Sequence, residues 1–117
     1  MNAISGKKDM GRLYENAVFL ELKRKLTQNQ EINYWKNPEG TECDFIIREG
    51  LAIKKAIQVV YDVSEKTRQR EVKGIAACAK EFGLKEGLII TKDYEAEEKI
   101  DSKKIKFIPL RKWLLEG

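Results

Sequence analysis

Three polar residues occupy positions where an apolar side chain would be expected, and together they have the chemistry of a divalent-metal site. Glu15 lies near the centre of an apolar helical stripe, Asp44 opens a predicted strand, and Gln58 lies within the apolar strand IQVVYDVS (57–64). Oxygen ligands from converging elements are what Mg²⁺ prefers. An ionised carboxylate that is buried alone, in contrast, is strongly unfavourable. These positions therefore predict a metal site.

Each of these residues also has a structural explanation. Glu15 could be stabilised by the dipole of the first helical turn or by an arginine. Glu42 and Asp44 are two apart on a strand and leave the same face, which Ile46 continues, so at the start of the strand both could be solvated. Gln58 could satisfy its amide by hydrogen bonding in the core. The residues alone leave both explanations open.

The composition excludes several other chemistries. The 117 residues contain no histidine, which removes Ser–His and Cys–His catalysis and His-ligated zinc. Cys43 and Cys78 lack metal-ligand spacing and are expected to be buried thiols in a reducing cytoplasm. The segment SGKK lacks the earlier glycine and the Ser or Thr of a phosphate-binding loop, so no nucleotide is expected. No run approaches the length of a membrane span.

The charge balance is mildly basic. There are 23 Lys and Arg against 19 Asp and Glu, a net charge of +4. Such a balance permits contact with an anion but does not diagnose nucleic-acid binding. With 42% hydrophobic and 36% charged residues, the chain is expected to be one globular domain over 1–117, with 1–9 as a flexible arm.

Periodicity predicts the elements that would position these residues. Helices are predicted over 11–27 and 67–83, the second capped by Ser64 or Thr67, and a short helix through Trp113–Leu115. Strands are predicted over 31–36, 42–50, 54–64, 86–91 and 104–110, the last after a charged stretch. The helix between the third and fourth strands implies a crossover, so those strands are expected to be parallel in a mixed sheet with the third strand inside it.

The first predicted helix is apolar on two sides. One stripe, expected to face the sheet together with Glu15, contains Val18, Phe19, Leu22 and Leu26. Roughly opposite lies a second stripe of Leu13, Ala17 and Leu20. An exposed apolar stripe is normally covered by association. The pattern therefore predicts contact with another subunit or with a further domain.

The element order αβββαβ, with Glu15, Asp44 and position 58 in these places, resembles the PD-(D/E)XK nuclease superfamily. The resemblance implies an α/β domain with a restriction-endonuclease-like core, in which helices flank a mixed central sheet, followed here by a C-terminal strand and short helix. In that superfamily three acids bind Mg²⁺ and a lysine orients or activates the attacking water. Glu15 and Asp44 match the first two acids, whereas Gln58 and Val60 replace the third acid and the lysine.

A second resemblance covers about residues 10–116. It rests on the segments GRLYENAVFLELKRK, GTECDFIIREG, IQVVYDVS, TRQREVKGI and GLIIT…IKFIPLRKWLL. These are similar to the C-terminal domain of a family of predicted prokaryotic AAA-type ATPases. In that family the domain has no assigned activity. The resemblance implies an AAA-type ATPase partner, and the second apolar stripe of the first helix predicts a homodimer as the other possibility.

Together these observations predict a nuclease fold with a degenerate active site. Loss of the lysine removes a proton-transfer group of a kind that contributes about 10²–10⁴-fold. We expect an accessory module that binds nucleic acid or protein. One alternative is an active Mg²⁺-dependent nuclease with a cation from Arg68 or Lys73 and an acid from Asp62, and another is a pure interaction module. A solvated side chain is the structural explanation of Arg68 and Lys73, and a capping or turn role is that of Asp62.

The site residues expected from this interpretation fall into three groups. The candidate catalytic residues are Glu15, Asp44, Gln58 and Lys73. The candidate Mg²⁺ ligands are Glu15, Asp44 and Gln58. The candidate nucleic-acid contacts are Arg68, Arg70 and Lys73, although glutamates interleaved with them are also typical of a solvated helix face.

Overall fold

The computed structural model describes residues 6–116, with side chains from residue 9 onward. Its elements are α1 (Gly6–Lys25), β1 (Gln30–Lys36), β2 (Glu42–Glu49), β3 (Ala52–Val60), α2 (Glu65–Glu81), β4 (Glu86–Thr91), β5 (Ala96–Ile100), β6 (Lys103–Pro109) and α3 (Leu110–Glu116). The predicted αβββαβ order with a C-terminal strand and helix is confirmed. Helix α1 begins at Gly6, inside the segment expected to be an arm, and positions 1–5 lie outside the described residues.

The strands form one mixed sheet in the order β1-β2-β3-β4-β6-β5. Strand β3 pairs with β4 in parallel, and β4 pairs with β6 in parallel, whereas the other pairs are antiparallel. The expected crossover through α2 is therefore confirmed. Strand β3 lies inside the sheet, between β2 and β4, and is covered on both faces. Ala56–Val60 are therefore all buried.

Strand β5 was missed by the sequence analysis, which treated this part of the chain only as a charged stretch. Its sequence AEEKI alternates half-buried and exposed residues and pairs antiparallel with β6. The connecting turn places Asp101 and Ser102 at positive φ, as a two-residue hairpin requires. Charged side chains are common on edge strands because they discourage further pairing, so the charge concealed the strand.

Helices cover both faces of the sheet and define two apolar layers. The layer against α2 includes Ile75, Cys78, Ile89, Ile105 and Phe107. The layer against α1 and α3 includes Val18, Leu22, Ile57, Ile90 and Ile108. Within the part of the chain that the structure describes, no helix is long and apolar enough to cross a membrane.

Helix α2 is fixed at its start and along its inner face. Ser64 is the N-cap, as predicted, and forms a reciprocal capping box with Thr67. Gly87 allows close approach of β4, since a Cβ there would lie 2.7 Å from Cγ1 of the buried Ile75. The helix is thereby held against the strand ends that carry the polar residues described next.

Candidate functional site

A cleft of about 280 Å³ opens where the start of β2 and the end of β3 meet the second turn of α2. Its lining includes Glu42, Asp44, Gln58, Glu71 and Lys73. One wall is the turn before β2, in which the Asn37 side chain accepts a hydrogen bond from the Thr41 backbone N–H at 2.8 Å. The cleft therefore gathers an acid, an amide and a lysine that the sequence analysis had selected.

An irregularity in β2 determines where Asp44 points. Cys43 pairs with Trp35, but Ile46 pairs with Asn33, so β2 holds one more residue than β1 over this interval. Cys43 and Ile46 consequently both pack in the layer against α2. Strict alternation fails across such a bulge, which is why these two residues share a layer although they are three positions apart.

Gln58 is the buried polar residue at the base of the cleft, with 5% of its surface exposed. Its amide oxygen accepts a hydrogen bond from the Asp44 backbone N–H at 2.6 Å. Its amide nitrogen donates to the Glu42 carbonyl at 3.2 Å and to Oε1 of Glu71 at 2.6 Å. The side chain thus joins β3 to the backbone of β2 and to α2, and both amide hydrogens have acceptors.

Asp44 lies beside this junction, and its Oδ2 accepts a hydrogen bond from the Val59 backbone N–H at 2.9 Å. Burial first, and then the nearby carboxylates of Glu15, Glu71 and Glu42, raise the pKa of Asp44 to about 6 against the lowering effect of that hydrogen bond. The cleft is therefore a site of like-charge repulsion in which Asp44 takes up a proton readily.

Glu15 is on α1 and is not among the residues that line the cleft. The expectation that it points at the sheet is wrong, since its side chain is exposed while Val18 and Leu22 carry the buried line of α1. Partial burial raises the pKa of Glu15, with Arg12 lowering it and Glu71 raising it. The charge of Glu15 contributes to the raised pKa of Asp44, so the two acids interact electrostatically.

The acids of the cleft do not form a closed metal-binding cluster. Over residues 9–116, whose side chains are described, no three His, Cys, Asp or Glu side chains are grouped so that they could hold a metal ion. The amide of Gln58 is also bound on both sides by protein atoms. This arrangement does not fit Mg²⁺ as it stands, and metal binding by Glu15, Asp44 and Gln58 stays a prediction.

The candidate cations divide between two places. Lys73 is exposed and lines the cleft together with Arg70, whose Nε lies 3.4 Å from Oε2 of Glu71. Arg68 instead donates to Tyr94 and Glu98, and its guanidinium lies 5.8 Å from the centre of the Phe107 ring. Arg68 is therefore engaged over β5 and β6, so Lys73 and Arg70 are the two basic residues that line the cleft.

The acid expected as a substitute and the lysine position can also be located. Asp62 is exposed and lies two residues beyond the end of β3. Val60 is 8% exposed and packs in the layer against α2. The position that holds the lysine in the nuclease pattern is thus part of the apolar core here.

Two residues of α2 that shape the cleft were missed by the sequence analysis. Glu71 accepts the bond from Gln58. Gly74 permits the close approach, because a Cβ there would lie 3.0 Å from the Glu42 carbonyl oxygen and 3.6 Å from Nε2 of Gln58. A glycine inside a helix costs about 1 kcal/mol relative to alanine. That unfavourable position is the signal that could have marked the helix face next to the site.

The two cysteines were expected to be buried thiols, and both are fully buried. Although 35 positions apart in the sequence, Cys43 on β2 and Cys78 on α2 hydrogen-bond to each other behind the cleft. That bond and burial raise the pKa of Cys43. The same contact lowers the pKa of Cys78, so Cys43 is the thiol that stays protonated, and both residues belong to the packing between β2 and α2.

Comparison with known proteins gives the family. Residues 10–113 match the model described as Domain of unknown function (DUF4143). The chain belongs to this family. It is also 37% identical over 120 aligned positions to the Uncharacterized protein MJ1544 of Methanocaldococcus jannaschii, an alignment that covers 97% of this chain and 26% of the relative. The DUF4143 chain thus spans about a quarter of the length of that relative.

A solved structure with a similar fold comes from an assembly of Thermococcus gammatolerans McrB AAA+ hexamers with bound McrC. The TM-score is 0.55 at 15% identity, and the match covers 85% of this chain and 27% of the other. At that identity the likeness concerns the fold alone. It agrees with the mixed sheet and flanking helices described above.

The first prediction concerns Gln58→Glu. A carboxylate can accept the Asp44 N–H but cannot donate to the Glu42 carbonyl, and it would face Glu71 as a like charge. We expect the free energy of unfolding at pH 8 to fall by about 2–3 kcal/mol, with part of the loss recovered at pH 5 by protonation. Urea denaturation at the two pH values measures this.

The matched control for that substitution is Gln28→Glu, the same change at an exposed position between α1 and β1. We expect it to change the free energy of unfolding by less than about 0.5 kcal/mol. Equal stability of the two variants at pH 8 would contradict a structural role of Gln58.

The second prediction concerns Asp44→Asn. The pKa of Asp44 in the folded protein, about 6, lies above its ordinary value of 3.8, so its stabilising protonation is complete below pH 4 and is lost as pH rises through 6. Asparagine keeps an acceptor for Val59 and carries no charge. We expect the variant to exceed the wild type at pH 8 by up to about 2 kcal/mol, the gain disappearing towards pH 4.

Denaturation midpoints of both proteins between pH 4 and 8, with EDTA present, test this prediction. A variant that is less stable than the wild type at pH 8 would show that a cation of the protein compensates Asp44, and the account of the cleft as a repulsive cluster would fail.

Proposed function

We propose that this DUF4143 chain is an accessory domain with a PD-(D/E)XK nuclease-like fold and a degenerate active site. The observation that carries the proposal is the use made of position 58, where the third acid would be. The amide nitrogen of Gln58 donates both of its hydrogens, one to the Glu42 carbonyl and one to the Glu71 carboxylate. A strand that would hold the metal and the attacking water instead joins β2 to α2.

The chemistry of phosphodiester hydrolysis supports the same proposal. Metal-assisted cleavage needs charge to hold the metal, a nucleophile and a group to manage its proton. Val60 offers no proton at the lysine position. Asp44, with a pKa of about 6, is partly protonated just below neutral pH and is then a weaker ligand. Each loss points in the direction of reduced turnover.

The surface of α1 supports an accessory role. Leu13 is 42% exposed and Leu20 is 66% exposed, so the stripe predicted to face a partner is uncovered by the described residues of this chain. The alignment with a much longer relative is what a domain of a larger protein would give. We propose that this stripe contacts an AAA-type ATPase or a second copy of the chain.

A second candidate function is an active Mg²⁺-dependent nuclease whose cation has moved. The observation that favours it is the position of Lys73 and Arg70 in the lining of the same cleft as Asp44 and Glu71. A lysine on a helix could orient a water as one on the strand does. This candidate requires the acids to close around a metal from their present positions.

The third prediction separates the two candidates by a cleavage assay. Branched and single-stranded DNA and RNA are incubated with Mg²⁺ or Mn²⁺ and the wild type, the Glu15→Ala/Asp44→Ala variant or Lys73→Ala. We expect the wild type to cleave no faster than the double variant, since the metal-binding acids and the lysine are not assembled. Cleavage that both variants abolish would overturn the accessory role and establish the second candidate.

A further inference from the structure

A second concave surface lies at the opposite ends of β3 and β4 from the cleft. It is a groove of about 430 Å³. Leu88 of β4 and Trp113 of α3 line it with apolar surface above the buried Ile57 and Ile108, and the Lys25 ammonium lies 5.1 Å from the centre of the Trp113 ring. The groove exists because α1 packs mainly on β3 and α3 on β4 and β6, which leaves the starting ends of these strands open.

Four lysines line this groove: Lys54, Lys55, Lys85 and Lys106. They come from β3, from the residue before β4 and from β6, so the fold rather than one run of sequence brings them together. Two carboxylates, Glu86 and Glu116, also line it. The groove therefore carries an excess of two positive charges.

The four groove lysines form no ion pair with any residue in the described range 9–116. Ion pairs with a carboxylate are formed elsewhere by Arg24, Arg48, Arg68, Arg70, Lys104 and Lys112. Other exposed lysines of the described residues, such as Lys66 and Lys80, also lack an ion pair, so what distinguishes these four is their grouping around one groove. Positive charges gathered around a concave surface concentrate a positive electrostatic potential there. Such a surface attracts anions, whose binding reduces the repulsion among the lysines.

The apolar lining of the groove restricts what that anion is. A hydrated inorganic anion has no apolar surface to bury against the apolar lining of the groove. A nucleotide unit, in contrast, has a charged phosphate and a flat aromatic base. Single-stranded nucleic acid is bound by proteins through basic grooves with aromatic side chains on which bases stack. The volume of 430 Å³ falls within the range of about 300–1,000 Å³ of small-ligand sites.

We propose that this groove binds single-stranded nucleic acid, with phosphates on the lysines and a base against Trp113. The spread of the lysines over two strands and a loop suits successive phosphates better than a single one. This surface is distinct from the Arg68, Arg70 and Lys73 surface inferred from the sequence. It is also independent of whether the cleft hydrolyses anything.

The fourth prediction tests the groove by fluorescence. The chain has two tryptophans, and Trp35→Phe leaves Trp113 as the only reporter. Titration with a twelve-residue oligothymidylate in 50 mM NaCl should quench Trp113 saturably. In the Lys55→Ala/Lys106→Ala variant the dissociation constant should rise at least about tenfold. The plot of the logarithm of the association constant against the logarithm of the salt concentration should become shallower, its slope decreasing in magnitude by about 1.4.

The matched control is Lys66→Ala/Lys80→Ala, which removes two exposed lysines of α2 outside the groove. It should leave the affinity within about twofold. Anisotropy of a labelled oligonucleotide with Trp35 intact repeats the comparison without the tryptophan substitution. No saturable binding in either measurement, or an equal loss in both lysine variants, would overturn the proposal. Tighter binding of AMP or ATP than of the oligonucleotide would overturn it in favour of a free nucleotide.

Discussion

The hydrogen bonds of one buried amide hold the functional end of this domain together. Gln58 accepts from the Asp44 N–H and donates to the Glu42 carbonyl, so it bridges two β2 residues beside the bulge. Its bond to Glu71 at 2.6 Å fastens the same point to α2. A buried amide left without partners would be costly, and this geometry leaves neither donor unused.

The surrounding sequence conforms to that junction. Gly74 lets α2 pack closely on β2. A Cβ added at this position would lie only 3.0 Å from the Glu42 carbonyl oxygen. Behind it, Cys43 and Cys78 fill the space between β2 and α2. A side chain at position 74 would crowd the Glu42 carbonyl, so that the helix or β2 would have to shift by a few tenths of an ångström. The amide, the glycine and the thiol pair therefore act as one packing unit.

Glu71 contributes to this unit by accepting a hydrogen bond from Gln58, whereas the carboxylate of Asp44 beside it is destabilised when ionised. Burial and neighbouring carboxylates raise the pKa of Asp44 to about 6. The protein relieves part of the repulsion by protonating this group and by pairing Glu71 with Arg70. A metal ion would relieve it more fully, but only if Glu15 and Asp44 moved towards a common point. The charges of the cleft favour a bound cation, whereas the hydrogen bonds of Gln58 support our proposal of a structural junction.

Much of this fold could be predicted from periodicity, because its elements obey the rules of their class. Strand β4 is a continuous apolar run whose predicted bounds, 86–91, are those observed, and Ser64 caps α2 as its type suggests. The failures have local causes. Strand β5 is an edge strand composed largely of charged residues. The bulge in β2 breaks the alternation assumed for that strand, so that Cys43 and Ile46 lie in the same layer. Glu71 was missed because an acid on a helix usually faces solvent.

The central claim is that the cleft is a structural junction without a working metal site, and calorimetric titration with Mg²⁺ and Mn²⁺ tests it most directly. The comparison is between the wild type and the Glu15→Ala/Asp44→Ala variant at pH 8, where Asp44 is ionised. The account predicts no saturable heat for either protein at millimolar metal. Saturable binding by the wild type that the double variant loses would contradict it, since the carboxylates would then converge on an ion.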